Sequence, residues 1–259
     1  MNMIPLSKRV LQQAISPFLR NIPQKRFVIL HEIINRQNPD FLEFLTYLEK
    51  SPASDVILTF DDGFHSSYQA IKQLQNRQAM FFVCPAFMNA ARDTMQWQTF
   101  FHNNLLRTEN LANTELREAV RPATWDELRE LVKLGHTVGS HTMNHRRLSK
   151  IISPKELEYE IIGSADMIED ELQIKVDSFA YPFGNIESID ERAYSIIKKR
   201  YKYCFTGVRG DNVNNINLYI TWRDAIDLSW PSDYIEFILK GGLDWYYWFK
   251  RREVSNMAR

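Results

Sequence analysis

The chain has 259 residues, which is enough for one domain with a substantial core or for two small domains. Lys and Arg together number 32, as do Asp and Glu, so the formal net charge is zero and nothing in the composition suggests a nucleic-acid partner. The two cysteines, Cys84 and Cys204, lie in apolar segments, which favours buried free thiols over a disulfide framework.

Residues 1–25 are predicted to form a helical extension ahead of the main domain. This segment carries basic residues but no apolar run of about 7–15 residues and no small-residue cleavage site, so it does not resemble a secretion signal. No stretch of the sequence approaches the roughly 18–20 apolar residues of a membrane span. We therefore expect a cytoplasmic protein without a transmembrane segment.

Short apolar runs bounded by polar or turn residues predict buried strands within residues 26–225. The runs are RFVILHEI (26–33), DVILTF (55–60), AMFFVC (79–84), HTVGSH (136–141), DSFAYP (177–182) and YKYCFTG (201–207). Helical patterns lie between them, and this alternation predicts an α/β fold with a parallel sheet or barrel in a single domain.

Several of the predicted helices have recognisable first turns. Thr124 with Glu127 reads as a capping box, and this helix is expected to end near Gly135. Ser153, followed by a proline at the first helical position, predicts a second helix start. Ser188 with Glu191 predicts a third.

Two segments do not fit the strand–helix alternation. Residues 88–122, which carry Trp97, Phe100 and Phe101, are interpreted as an insertion over one face. Residues 226–259 are predicted to form a helical tail, in which aromatic residues precede Lys250, Arg251 and Arg252. A packed terminal helix and a peripheral contact with a membrane surface are both compatible with that pattern.

Candidate metal ligands follow two of the predicted strands. Asp61 and Asp62 come directly after one strand, and His141 and His145 lie four residues apart after another. On one helical turn, residues at this spacing project to the same side, so both imidazoles could bind one metal. With one aspartate they would form a catalytic site that leaves positions open for water, and the second aspartate would act as a general base.

Three motifs resemble those of the polysaccharide deacetylase family, carbohydrate esterase family four. They are TFDDG (59–63), HTMNH (141–145) and FAYPFG (179–184), and the resemblance extends over about residues 26–225. It implies a distorted (β/α) barrel, usually of seven strands, and metal-assisted hydrolysis of an acetamide on a sugar. Zn²⁺ is the metal we expect first, with Co²⁺, Ni²⁺ or Mn²⁺ as alternatives.

The same resemblance implies roles for individual residues. Asp61 corresponds to the catalytic base, and Asp62, His141 and His145 correspond to the metal ligands. The backbone N–H of Phe183 corresponds to the oxyanion donor. Tyr181, in the same motif, is grouped with the substrate-binding residues.

The sequence departs from the family pattern at two positions. Ala180 stands where family members commonly carry the arginine that orients the base, and Arg223 is the predicted substitute, with a structural salt bridge as the alternative. No histidine follows His145, and His31 resembles the strand-end histidine of circularly permuted, FAYPYG-type bacterial deacetylases, which implies a general acid. By looser analogy, Trp222 would contact the acetyl methyl group.

We therefore predict a hydrolase that removes an N-acetyl group, or an O-acetyl or formyl group, from a carbohydrate. An intermediate of surface polysaccharide biosynthesis is the expected substrate. Aromatic side chains of the insertion either stack on the sugar ring or pack a helix against the barrel; they are Trp97, Phe100 and Phe101. Two alternatives remain open at this point: a hydrolase of the same fold that acts on a non-sugar amide, and a non-catalytic carbohydrate-binding domain with a vestigial metal site.

Overall fold

The predicted apolar runs form the parallel sheet at the centre of the protein. The computed structural model describes residues 4–16, 19, 24–33, 39–50, 54–74, 77–215 and 217–257. The strands are β1 (Gln24–Leu30), β2 (Ser54–Phe60), β3 (Ala79–Val83), β4 (Thr137–Ser140), β5 (Ser178–Ala180), β6 (Tyr203–Phe205) and β7 (Arg223–Ala225). The first six strands confirm the six strands that the apolar runs predict. The seventh was missed because it is only three residues long and carries two charged side chains, Arg223 and Asp224.

The described strands form one sheet in the order β6-β5-β4-β3-β2-β1-β7, and every pair is parallel. A parallel bridge between Phe205 and Thr221 joins β6 to the residues just before β7, so the sheet nearly closes on itself. The first strand, β1, neighbours the last, β7, through the pairing of Phe27 with Arg223. The protein is a single-domain (β/α)7 barrel, as predicted.

Helices surround the barrel, and the predicted first turns of two of them are correct. The helices are α1 (Leu6–Ile15), α2 (Pro39–Lys50), α3 (His65–Lys72), α4 (Pro85–Asn89), α5 (Thr94–Asn103), α6 (Thr114–Val120), α7 (Trp125–Lys133), α8 (Pro154–Glu158), α9 (Ser164–Leu172), α10 (Glu191–Arg200), α11 (Ser232–Leu239) and α12 (Trp248–Met257). Thr124 and Glu127 form the reciprocal capping box of α7, and Ser153 caps α8. The third prediction is wrong: Asp190 caps α10 by accepting the Ala193 N–H at 2.7 Å, because Ser188 belongs to a preceding 3-10 turn.

The aromatic residues of segment 88–122 belong to the core. Trp97, Phe100 and Phe101 are all buried, and Phe100 stacks on Phe87 with a centroid distance of 5.1 Å. Of the two interpretations of these rings, helix packing is correct. Sugar stacking is wrong, because the rings are turned into the protein.

Elements at both ends of the chain lie against the barrel and against each other. The side chains of Leu11 and Ile15 in α1 contact the buried cluster around Tyr234 and Phe237 in α11. Val254 of α12 is buried in the main core. None of the described helices combines the length and the apolar character that crossing a bilayer requires.

The capping box of α7 gives a direct test of the helix assignment. Thr124→Ala removes the acceptor of the Glu127 N–H, and we expect a loss of about 1 kcal/mol in the free energy of unfolding. Urea denaturation followed by circular dichroism measures this loss. Thr124→Ser keeps the hydroxyl and is the matched control; an equal loss in both variants would contradict the capping role.

Candidate metal and hydrolytic site

The two adjacent carboxylates lie in a tight turn at the end of β2. The Asp61 N–H donates to the Leu30 carbonyl at 3.0 Å, which continues the β1–β2 ladder by one residue. Asp62 and Gly63 then adopt positive φ angles of 75° and 100°. The φ of Gly63 is one that residues with a side chain rarely adopt, and a Cβ there would also force the end of the Met88 side chain, 2.4 Å away, to move. The turn buries both carboxylates, which are 3% and 5% exposed.

The histidine pair comes from an irregular loop after β4. His141 directly follows Ser140, and the segment to His145 is not helical, with positive φ at Thr142 (64°) and at His145 (56°). The prediction that a helical turn brings the imidazoles together is therefore wrong, although the two rings do meet, with a centroid distance of 5.1 Å. Two left-handed residues, which the spacing alone does not predict, produce this convergence.

Each imidazole is fixed through its Nδ1 atom. His141 Nδ1 lies 2.9 Å from the Ala180 carbonyl and His145 Nδ1 lies 3.0 Å from the Asn104 carbonyl. A carbonyl oxygen can only accept, so both Nδ1 atoms carry the proton and donate it. In the neutral rings, both Nε2 atoms then present a lone pair to the site, which is the arrangement that metal-binding histidines usually have.

Both Nε2 atoms point at Asp62. His145 Nε2 lies 3.3 Å and His141 Nε2 lies 3.6 Å from Asp62 Oδ1, and one ligand atom from each of the three residues lies within 4.8 Å of the others. Burial alone would raise the pKa of Asp62, but contacts with the two histidines in their protonated form, in which Nε2 donates, hold that pKa well below its usual value. Two neutral imidazole lone pairs facing a carboxylate repel it unless a cation lies among them, so the donor set fits a divalent metal.

Asp61 is compensated in a different way, by Arg223. The two carboxylate oxygens accept from the guanidinium at 2.7 and 2.8 Å, which is a bidentate pair between two buried side chains. Arg223 also donates to the Thr206 carbonyl at 2.9 Å and to Thr59 Oγ1 at 3.1 Å. Burial opposes ionisation of Asp61, but the Arg223 guanidinium together with His141 and His31 outweighs burial and lowers the pKa of this carboxyl.

His31 and Phe183 lie around these carboxylates. His31 directly follows β1, has an exposed side chain, and is near enough to contribute to lowering the pKa of both Asp61 and Asp62. It lines a cavity of about 750 Å³ together with Arg107 and Trp230. Phe183 has a φ of 64°, and its half-exposed ring lies 4.8 Å from the His145 ring, centroid to centroid.

Tyr181 and Trp222 are buried, as Asp61 and His141 also are, and their predicted substrate contacts stay predictions. Tyr181 is 1% exposed, its N–H donates to the Phe205 carbonyl at 3.1 Å, and its ring packs edge-on against Phe179. The Trp222 side chain is buried in the same core cluster, and the backbone N–H of Trp222 donates to Asn212 Oδ1 at 3.0 Å.

Two residues that hold the histidine loop were missed in the sequence. Glu160 is buried and accepts from the backbone N–H (2.9 Å) and the side-chain amide (2.8 Å) of Asn144, which lies between the two histidines. Asn104 orients His145 through its carbonyl and donates to the Asn144 carbonyl. A signal for Glu160 exists, because it lies at helical spacing among the apolar residues Leu157, Ile161 and Ile168. No sequence pattern predicts the role of the Asn104 carbonyl, because it is a backbone group.

Comparison with solved structures shows a shared barrel. A polysaccharide deacetylase from Bacillus cereus (BC0361) superposes with a TM-score of 0.59 at 17% identity, over 83% of this chain and 69% of that one. IcaB from Ammonifex degensii gives 0.58 at 16% identity, over 85% and 97%. The BpsB deacetylase domain from Bordetella bronchiseptica gives 0.53 at 17% identity, over 88% and 86%. At such identities the likeness shows the fold alone.

A comparison with models of protein families assigns the sequence to a family. A search of the curated proteins finds no match. The polysaccharide deacetylase family model matches residues 49–200, which is more than half of the chain and includes both carboxylates and both histidines. The chain therefore belongs to the polysaccharide deacetylase family, and it is a carbohydrate deacetylase.

Proposed function

We propose that the chain is a metal-dependent deacetylase, which hydrolyses an acetamide on a sugar to acetate and a free amine. The observation that supports this proposal is that two adjacent carboxylates have different partners. Asp62 faces two Nε2 atoms in a set that suits a cation, while Asp61 is held apart by Arg223. A purely structural metal site would have no use for the second carboxylate.

Asp62, His141 and His145 are the residues that would hold the metal. Nitrogen and carboxylate donors suit Zn²⁺ best, with Co²⁺, Ni²⁺ and Mn²⁺ as weaker alternatives. When bound, such an ion supplies Lewis acidity, which polarises a carbonyl and lowers the pKa of water. Because the Nδ1 atoms donate to Ala180 and Asn104, the histidines keep the tautomer that this task requires.

Asp61 is assigned as the general base. Its lowered pKa keeps it ionised at neutral pH, so it can accept a proton from the water that attacks the acetyl carbon. Arg223, held by Thr59 and Thr206, fixes the orientation of this carboxylate and fills the role of the arginine that is missing at Ala180.

The remaining roles fall to Phe183 and His31. The backbone N–H of Phe183, in a left-handed residue beside His145, is assigned to stabilise the negative charge that develops on the acetyl oxygen. As the C–N bond breaks, the leaving nitrogen needs a proton to depart as an amine. His31, exposed at the edge of the cavity, is assigned to donate it.

The substrate class is tested with a panel of compounds and the metal-loaded protein, by measuring acetate release, or formate release from N-formylated sugars. The panel contains N-acetylated, O-acetylated and N-formylated sugars, as nucleotide-linked intermediates and as oligosaccharides, together with non-sugar amides. We expect acetate from an N-acetylated sugar, and the comparison of free, nucleotide-linked and polymeric forms identifies the stage of polysaccharide synthesis. Activity on non-sugar amides alone would reject the carbohydrate substrate.

Replacement of a metal ligand is expected to abolish metal binding and activity together. Asp62→Ala, His141→Ala and His145→Ala each remove one of three protein ligands. Metal content by plasma mass spectrometry and acetate release are measured on the same samples. Asp126→Ala, which removes an 87% exposed carboxylate on α7, is the control and keeps both properties. Full activity in a ligand variant without metal would contradict the assignment.

Asp61→Asn separates the base from the metal site. The amide cannot accept the proton, but the three ligands are unchanged, so we expect normal metal content and a decrease in kcat of about 10²–10⁴-fold. Steady-state acetate release and metal analysis report the two properties. An unchanged kcat would show that another group takes the proton.

A further inference from the structure

Four aromatic side chains near the C-terminus form an exposed surface that the proposed reaction does not use. Trp245, Tyr246, Trp248 and Phe249, called here the aromatic surface, are 60%, 48%, 46% and 75% exposed. They lie in the turn before α12 and in its first residues. A run of this kind leaves a large apolar area in water, and such patches mark interaction sites more often than isolated apolar residues do.

The segment that carries the aromatic surface is held in place by contacts on both sides of it. Arg251 donates to the Arg209 carbonyl at 2.9 Å and to the Asp244 carbonyl at 2.8 Å. The Asp244 carboxylate pairs with Arg26 of β1 at 2.6 Å. Val254, one turn further along α12, is buried in the barrel core. The barrel therefore presents the aromatic surface in a fixed position.

Cations border the aromatic surface. Lys250 Nζ lies 5.5 Å from the centroid of the Tyr247 ring, and the Arg252 guanidinium lies 5.4 Å from the centroid of the Trp248 ring. Throughout the part of the chain that the structure describes, neither cation forms an ion pair with a carboxylate. Residues 245–252 contain three basic and no acidic residues, although the whole chain has zero net charge. The surface is therefore both apolar and locally positive.

We propose that the aromatic surface binds the interface of a bilayer that contains anionic phospholipid. Trp and Tyr combine an apolar ring with a polar N–H or O–H, which suits the boundary between acyl chains and headgroups. Lys250 and Arg252 would meet the lipid phosphates in the same plane, and Phe249 would enter the acyl region. This contact does not depend on the deacetylase reaction.

The charges favour a bilayer over a second copy of the chain. A two-fold contact brings the same surface together from both copies, so both sides carry Lys250 and Arg252 and residues 245–252 supply no acidic partner for them. Like charges then repel across an apolar contact, where they are poorly screened. An anionic headgroup layer neutralises them instead.

Vesicle co-sedimentation of the full chain tests the proposal. We expect binding to vesicles of phosphatidylcholine mixed with phosphatidylglycerol, weaker binding to phosphatidylcholine alone, and a loss of binding as salt rises. Trp248→Ser combined with Phe249→Ser should lower the partition coefficient by about tenfold or more. Lys250→Glu combined with Arg252→Glu should remove the preference for the anionic vesicles.

Exposed apolar residues elsewhere provide the matched control. Met95 and Ile152 are 78% and 89% exposed and lie in other parts of the fold, so Met95→Ser combined with Ile152→Ser should bind vesicles like the wild type. Acetate release from a water-soluble substrate, unchanged in all three double variants, reports that the fold is intact. Equal vesicle binding by the wild type and the aromatic variant would overturn the proposal. So would a wild-type dimer that the aromatic variant converts to a monomer, because the surface would then join two copies.

Discussion

The candidate site depends on one electrostatic constraint, which is that two buried carboxylates lie side by side at the end of β2. Each needs its own positive partner, because two adjacent negative charges away from water are costly. Asp61 is paired with the guanidinium of Arg223, while Asp62 faces two imidazoles whose Nδ1 protons are already committed to backbone carbonyls. Because the partners differ, Asp61 is suited to accept a proton and Asp62 is suited to bind a metal.

The pairing of Asp61 with Arg223 is possible because the barrel nearly closes. Asp61 and Arg223 are 162 residues apart, and they meet because β1 pairs with β2 on one side and with β7 on the other. The guanidinium lies inside the barrel, where Thr59 and Thr206 accept its remaining hydrogen bonds. The neighbouring Asp224 points to the opposite side and pairs with Arg26, because side chains alternate along a strand. On one face of β7, Arg223 therefore binds Asp61 of the candidate site. On the other face, Asp224 binds Arg26, which also pairs with Asp244 of the C-terminal segment.

The histidine loop relies on supports outside the barrel. Glu160 holds Asn144 from a π-helical segment, Tyr159–Gly163, which joins α8 to α9. Asn104, at the end of α5, holds both His145 and Asn144. The segment first interpreted as an insertion therefore contributes a carbonyl that orients a candidate metal ligand, and its buried aromatic residues keep that carbonyl in position.

The sequence by itself determined six of the seven strands, the α/β class and the identity of the candidate ligands, and the family resemblance added the barrel. Short apolar runs and capping residues are local signals, and Asp61, Asp62, His141 and His145 stand beside them in recognisable motifs. The sequence did not decide how these residues meet. The left-handed backbone at Thr142 and His145, the bidentate geometry of Arg223 and the burial of Tyr181 and Trp222 all depend on contacts between segments far apart in the chain. Only the tertiary structure could decide them, because the energies that select these arrangements come from packing and from buried charge pairs rather than from local propensity.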